Sequence, residues 1–196
     1  MSSLKTFKNY TDTLAKQDKK MPVLFTSHGN PMDIIKTREE RAFWEALHGL
    51  GENLQSEFEI KAALVVSAHW CTNDKTLVNV SANPKQIYDY YNFPEEYYDV
   101  TYSAPGAPEV AKEVAKIAPQ VVPTDDWGLD HGAWPMLMHL FPAGDVPVFQ
   151  MSINYNAAPS YHYDLGKQLK SLRNKGVLVF VLPDLVSDFD QAGTGV

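Results

Sequence analysis

Residues 62–68 read AALVVSA and are followed directly by His69 and Trp70. Only Ser67 interrupts the apolar run. A strand with one face in water alternates apolar and polar residues, whereas a strand covered on both faces is apolar almost throughout. This stretch therefore predicts a buried strand of the kind found in parallel sheets, with a histidine at its carboxyl end.

Other segments repeat this pattern and alternate with segments of helical spacing. Apolar runs occupy residues 22–27 (PVLFTS), 146–153 (VPVFQMSI) and 177–182 (VLVFVL), with a weaker edge-strand candidate at 76–80. Apolar residues recur at helical spacing in residues 38–50, 108–118, 131–140 and 161–173. Strands that alternate with helices predict an α/β fold with a mostly parallel mixed sheet flanked by helices.

Composition narrows the class of protein. A chain of 196 residues is long enough for one domain with a sizeable core. The net charge of -7 argues against a nucleic-acid partner, since phosphate binding needs a basic face. We expect no membrane partner, because no run of 18 apolar residues is present, and no secretory signal in the polar residues 1–20. The single cysteine, Cys71, permits no internal disulfide and favours a cytoplasmic location. The sequence does not determine the oligomeric state.

Two histidines follow buried strands. His28 comes after the strand at 22–27 and before residues 29–31 (GNP), which must turn, while His69 follows the strand at 62–68. Parallel strands present their carboxyl ends at one edge of a sheet, so both imidazoles are expected there as ligands of one metal ion. The alternative is that each is a hydrogen-bonded structural histidine. Cys71 is a candidate soft ligand, although a small buried thiol is the favoured interpretation.

A third histidine lies in residues 127–132 (WGLDHG). Glycine on one side of His131 would allow a substrate to approach closely, and Asp130 is positioned to cap the helix that follows. The remaining histidines lie inside helical patterns and are interpreted as packing or surface residues: His48, His139 and His162.

The segment 83–108 is long, aromatic and rich in proline (NPKQIYDYYNFPEEYYDVTYSAPGAP). Loops of this length in a compact domain are usually functional or disordered, and so many aromatic side chains need packing partners. A lid or pocket wall is one interpretation, and a loop simply packed over the sheet edge is the other. A planar ring would suit an aromatic wall made of Tyr90, Tyr91, Phe93 and Tyr98.

Four motifs, in order along the chain, resemble the class III extradiol ring-cleavage dioxygenases, in particular the DOPA 4,5-dioxygenase branch. They are residues 27–32 (SHGNPM), 67–70 (SAHW), 87–109 with its FPEEYYD and YSAPGAPE, and 127–134 (WGLDHGAW). The similarity extends from about residue 21 to residue 180. One departure is GNP at 29–31, where the family usually has GSP.

The resemblance implies an α/β fold with one mononuclear metal site, normally Fe(II), often with Zn(II) in its place. His28 and His69 would match two of the metal ligands. His131 would match a catalytic histidine close to substrate and dioxygen. The expected reaction partners are a small aromatic diol, a catechol such as DOPA, and dioxygen. A facial set of protein ligands with open positions is what Fe(II) oxygenases require.

The resemblance stops after residue 180. We therefore expect an N-terminal arm at 1–20, an incomplete dioxygenase-like catalytic domain at 21–180 and an atypical tail at 181–196. Family members continue with a histidine followed by asparagine and then a segment holding the last metal ligand, whereas this chain has no histidine after His162. Asp184, which follows the strand at 177–182, is a candidate substitute ligand.

Three functions follow from these expectations. The first is a metal-dependent extradiol dioxygenase, which would be inactive as a truncated chain unless other residues replace the missing ligand and histidine. The second is a non-catalytic protein that binds a metal or an aromatic compound. The third is a hydrolase that uses zinc-bound water.

Overall fold

The computed structural model describes residues 19–28 and 41–183. Its strands are β1 (Val23–Phe25), β2 (Ala62–Thr72), β3 (Thr76–Asn79), β4 (Val121–Thr124), β5 (Val148–Asn154) and β6 (Val177–Leu182). Its α-helices are α1 (Arg41–Glu57), α2 (Pro108–Ile117), α3 (Trp134–Leu140) and α4 (Pro159–Leu169), with short 3-10 helices at Glu95–Tyr97 and Lys170–Lys175. None of the helices in these ranges combines the length and apolar character needed to cross a bilayer.

The strands of the described residues form one six-stranded sheet in the order β1-β6-β2-β5-β3-β4. The pairs β1·β6, β6·β2, β2·β5 and β3·β4 are parallel, and β3·β5 is antiparallel. The predicted α/β fold with a mostly parallel mixed sheet is thus confirmed. Since β1, β6 and β2 run the same way, their carboxyl ends lie at the same edge of the sheet.

Both faces of the sheet are covered at β2, as its apolar run predicts. Ala63 and Val65 belong to a core that includes residues of α1, α3 and the aromatic segment. Ala62 and Leu64 belong to a second core with residues of α2 and α4. Successive residues of β2 therefore point into different cores, which is why this strand carries no polar alternation. The prediction of a buried strand at 22–27 is wrong for β1, where Val23 is 46% and Phe25 67% exposed at the edge of the described sheet.

Strand β2 is longer than expected, and its pairing with β5 is irregular. Val66 pairs with Met151, but the next pair is Cys71 with Ile153, so β2 advances five residues while β5 advances two. His69 lies inside this irregular stretch and not beyond the strand, which corrects the prediction that the strand ends at residue 68. Extra residues on one strand locally re-aim its side chains, and such irregularities are common beside functional sites.

Two further differences concern elements away from that edge. Strand β4 is not among the predicted strands. Its short VVPT sequence contains Pro123, and proline normally argues against a strand. It is tolerated here because β4 is the last strand in the order and pairs only with β3. Helix α1 extends to Glu57 instead of residue 50, since Leu54 continues the buried side of the helix that Leu47 occupies.

Candidate metal centre

His28 and His69 meet at the carboxyl edge of the sheet. His28 lies three residues after β1 ends, and His69 lies in the irregular part of β2. Their Nε2 atoms are 3.0 Å apart, and the ring of His28 is buried. Two imidazoles that are 41 residues apart in the chain thus bring the same ring nitrogen together, at a distance at which one N–H can donate to the other nitrogen.

This donor pair fits a metal ion. Two nitrogen ligands of a tetrahedral Zn(II), each about 2.0–2.1 Å from the ion, would lie roughly 3.3 Å from each other. The observed separation of 3.0 Å is close to that value, so a small adjustment of either ring accommodates an ion. Neutral imidazole is also a common ligand of Fe(II) and Zn(II).

Asp89 connects two of the three histidines. Its Oδ2 lies 3.2 Å from Nδ1 of His69, and its Oδ1 lies 2.9 Å from Nδ1 of His131. The backbone N–H of His131 also donates to Oδ1, at 2.7 Å. The rings of His69 and His131 are 4.0 Å apart between centroids. His69, Asp89 and His131 therefore form one compact cluster, on the opposite side of the His69 ring from His28.

The contact between Asp89 and the ring of His131 joins a carboxylate oxygen to a ring nitrogen. Although the distance is short, Nδ1 of His131 is buried without a well-aligned hydrogen bond to any described residue. Burial alone would raise the pKa of Asp89, but the contacts from His131 and His69 outweigh it and hold that pKa well below its usual range. Asp89 is therefore an ionised carboxylate.

A buried network of hydrogen bonds around Asp130 holds the turn that carries His131. The carboxylate of Asp130 accepts hydrogen bonds from Ser67 Oγ, Gln150 Nε2 and the backbone N–H groups of Gly132 and Ala133. These bonds fix the turn before α3. The expectation that Asp130 caps the helix is wrong, because α3 begins at Trp134 with Ala133 as its N-cap and has no side-chain cap. Burial raises the pKa of Asp130. The network joins β2, β5 and the turn that carries His131.

Gly132 allows the close approach of this turn to β2. A Cβ atom at this position would lie 2.7 Å from Cδ2 of His69 and 2.8 Å from Oγ of Ser67. Both distances are too short for a carbon atom without movement of its neighbours. The glycine beside His131 therefore makes room for the His69 ring.

The structure brings three of the four predicted wall residues together. The ring of Tyr90 lies 5.3 Å from that of His131, 4.9 Å from Phe93 and 5.2 Å from Tyr98. Tyr91, in contrast, is 80% exposed. Burial, with smaller contributions from neighbouring tyrosines and Asp89, raises the pKa of Tyr90 to about 12, so its hydroxyl is protonated.

The other candidates lie elsewhere. Asp184 is outside the described residues. Cys71 is exposed and its Sγ contacts the carbonyl of Ala68, so the expectation of a buried thiol is wrong. His139 stacks on Trp44, and Nε2 of His162 lies 3.0 Å from the carbonyl of Asn154. An apolar groove of about 490 Å³ between α4 and the sheet includes His162 but none of the clustered histidines.

Sequence reasoning missed Asp89. It lies in the aromatic segment, and two backbone hydrogen bonds, Ile87 N–H to Leu129 C=O and Leu129 N–H to Lys85 C=O, align that segment with the chain before His131. The available signal was a single acidic residue between Tyr88 and Tyr90. Such a carboxylate needs a partner when its neighbours are buried, but the sequence did not identify that partner.

The chain is similar in sequence to known proteins. Residues 22–182 match a protein family described as the catalytic LigB subunit of aromatic ring-opening dioxygenase. Two similar proteins are named 4,5-DOPA dioxygenase extradiol. The one from Escherichia coli K12 is 34% identical over 170 residues, which is 85% of this chain and 60% of that protein. The one from Beta vulgaris is 38% identical over 172 residues, which is 85% of this chain and 62% of that protein.

A solved structure extends the comparison to three dimensions. The crystal structure of uncharacterized protein JW3007 from Escherichia coli K12 matches with a TM-score of 0.68 and 28% sequence identity. The match covers 90% of this chain and 66% of that one. The chain spans about three fifths of the length of the curated relatives described above.

Proposed function

Since the chain belongs to the family of the catalytic LigB subunit of aromatic ring-opening dioxygenase, we propose that it carries an extradiol ring-cleavage site for a catechol such as DOPA. The observation that carries this proposal is the pair of Nε2 atoms, from His28 and His69, 3.0 Å apart at the carboxyl edge of the sheet. Ligands of open α/β sheets bind at this edge. The proposed reaction partners are one catechol and dioxygen.

In this proposal His28 and His69 hold a single Fe(II) or Zn(II) ion. Fe(II) would supply the redox chemistry for the use of dioxygen, which Zn(II) lacks. Asp184 is proposed as a third ligand. If it is one, Asp184→Ala will lower the amount of metal that copurifies with the chain, and unchanged metal content would remove Asp184 from the site.

His131 is the proposed catalytic histidine. Its ring is buried beside His69, and Nδ1 faces the carboxylate of Asp89. A proton held on Nδ1 by Asp89 leaves Nε2 to accept a proton from a catechol hydroxyl. Tyr90, Phe93 and Tyr98 form the proposed aromatic wall, whereas the exposure of Tyr91 leaves it out of that wall.

A non-catalytic binding protein is the second candidate. The specific observation in its favour is that the nearby carboxylate, Asp89, contacts Nδ1 of His69 and His131 and does not lie on the Nε2 side of His69, where His28 is. Such a protein would bind the metal and the catechol without consuming oxygen. A cytoplasmic location remains a prediction for either candidate.

Oxygen uptake distinguishes the two candidates. The chain is loaded anaerobically with Fe(II), then mixed with DOPA and oxygenated buffer, and absorbance and oxygen are followed together. We expect a yellow ring-opened product with one O₂ consumed per DOPA, abolished in His28→Ala and His69→Ala. His48→Ala, which changes an exposed histidine of α1, serves as the matched control. Catechol binding without oxygen uptake in the unmodified chain would contradict the dioxygenase and support the second candidate.

A further inference from the structure

We propose that Asp89 is a positioning residue that fixes the tautomers of His69 and His131 together, and is not itself a metal ligand. One carboxylate faces Nδ1 of both rings, with Oδ2 toward His69 and Oδ1 toward His131. Its effect on the metal rests on the proposed function, whereas its effect on the tautomers does not.

The chemistry of the acceptor sets the tautomer. A carboxylate has no proton to donate, so a neutral imidazole that presents Nδ1 to it is stabilised with its proton on Nδ1. The lone pair then lies on Nε2. For His69, Nε2 is the atom 3.0 Å from Nε2 of His28. Asp89 thus directs the lone pair of His69 toward the point that His28 also faces.

The position of the carboxylate argues against direct ligation. Both of its oxygen atoms lie on the Nδ1 side of the rings, and Oδ1 also accepts the backbone N–H of His131. His28 lies on the Nε2 side of His69. A metal ion placed between Asp89, His69 and His131 would break these contacts and leave His28 unused. Carboxylates that bind the second nitrogen of a ligating histidine commonly tune metal sites in this way.

Asp89 is held in place by the residues around it. Gln86 forms an isolated β-bridge with Leu129. The hydroxyl of Tyr88 donates a hydrogen bond to the carbonyl of Val100. The hydroxyl of Tyr90 donates to the carbonyl of Tyr97. The neighbours on both sides of Asp89 are therefore anchored within the same aromatic segment. This restraint lowers the entropic cost of aiming one carboxylate at two rings.

The first test reads the tautomers directly. Nitrogen-15 correlation spectra of the metal-free chain distinguish a proton on Nδ1 from a proton on Nε2 for each histidine. We expect the Nδ1-protonated form for His69 and His131 in the unmodified chain, and a mixture dominated by Nε2-protonated rings in Asp89→Ala. Asp99→Asn changes an exposed aspartate of the same segment and should leave both spectra unchanged. Identical tautomers in the unmodified chain and Asp89→Ala would overturn the proposal.

The second test measures metal affinity by competition with a chromophoric zinc chelator. We expect Asp89→Ala to weaken Zn(II) binding by about 10–100-fold, because the ligand is still present but wrongly oriented. His69→Ala, which removes a ligand, should abolish binding, and Asp99→Asn should not change it. If Asp89→Ala binds Zn(II) as tightly as the unmodified chain, Asp89 does not position a ligand. If it abolishes binding as His69→Ala does, Asp89 is a ligand and the proposal is wrong.

Asp89→Asn guards against a folding defect in the alanine variant. The amide keeps the size of the side chain and one acceptor oxygen. The circular dichroism spectrum should therefore be unchanged, and one of the two histidines should keep its tautomer while the second histidine changes. Retention of both tautomers in Asp89→Asn would overturn the proposal. If the unmodified chain binds no Zn(II), the proposed function fails, while the tautomer spectra still test Asp89.

Discussion

At the scale of single residues, the candidate site depends on how closely the turn at His131 approaches β2. Gly132 permits that approach, since its missing side chain leaves room for Cδ2 of His69. Asp130 holds the turn by four hydrogen bonds to side chains and backbone. Neither residue is directed at the proposed metal, yet both determine where His69 can lie.

Gly132→Ala tests this dependence. The added Cβ, 2.7 Å from His69, must displace the ring, so we expect weaker Zn(II) binding and a loss of about 1–3 kcal/mol in the free energy of unfolding, as for other overpacked sites. Chelator competition and urea denaturation measure the two effects. Gly49→Ala is the matched control, because nothing lies within 4 Å of its added Cβ. In the interior of α1 it should stabilise the chain by about 0.5–1 kcal/mol. Unchanged metal affinity in Gly132→Ala would contradict this account.

At the scale of elements, α1 and α3 pack against each other through an aromatic contact outside the site. The His139 ring of α3 stacks on Trp44 of α1 at 4.2 Å. Nε2 of His139 is buried and has no hydrogen-bond partner among the residues that the structure describes. Burial, and to a smaller extent the nearby His48, lowers the pKa of His139 below its ordinary value of 6.5.

A pH dependence follows from this contact. The unfolded chain takes up a proton on His139 near pH 6.5, while the folded chain does so only at lower pH, so the stabilising contribution is present above 6.5 and is lost as the pH falls. His139→Phe keeps an aromatic ring and removes the titration. We therefore expect the free energy of unfolding to fall less between pH 7.5 and pH 5 in His139→Phe than in the unmodified chain, measured by urea denaturation. Parallel pH profiles would contradict the prediction.

At the scale of the whole molecule, the proposed metal would join two segments that are 41 residues apart in the chain. His28 follows the outermost strand β1, and His69 lies in β2, with β6 between these strands. An ion that binds only the folded arrangement of both histidines stabilises the fold by mass action. Metal binding and global stability are therefore expected to change together.

Thermal unfolding with and without metal tests this coupling. With free Zn(II) about 100-fold above the dissociation constant, the folded state should gain about 2.7 kcal/mol, and Tm should rise by roughly 5–10 °C for a chain of this size. A chelator should reverse the rise, and His69→Ala should show none. His48→Ala should retain it. A Tm that is independent of metal in the unmodified chain would show that no ion bridges the two strands.

Much of the architecture could be predicted from the chain itself. Residues 62–68 are apolar except for Ser67 and residues 177–182 are apolar throughout, and they lie in β2 and β6, two interior strands of a mostly parallel sheet. The prediction failed where tertiary contacts overrule local preference. Pro123 does not prevent β4, because an edge strand needs few donors, and β2 continues past residue 68 because β5 still offers partners at Ile153 and Asn154. The domain limits at 20 and 180 remain predictions.

By itself, the sequence determined that this is an α/β protein and that His28 and His69 each come after an apolar run, since apolar periodicity is a local property; it did not predict that Val23 and Phe25 of the run before His28 are exposed. Tertiary structure alone decided that β2 becomes irregular around His69, that Tyr91 is exposed while Tyr90 packs on His131, and that Asp89 lies between two histidines. Asp89 and His131 are 42 residues apart. Their contact depends on how the aromatic segment packs beside the chain that precedes His131, and no local sequence pattern predicts that packing.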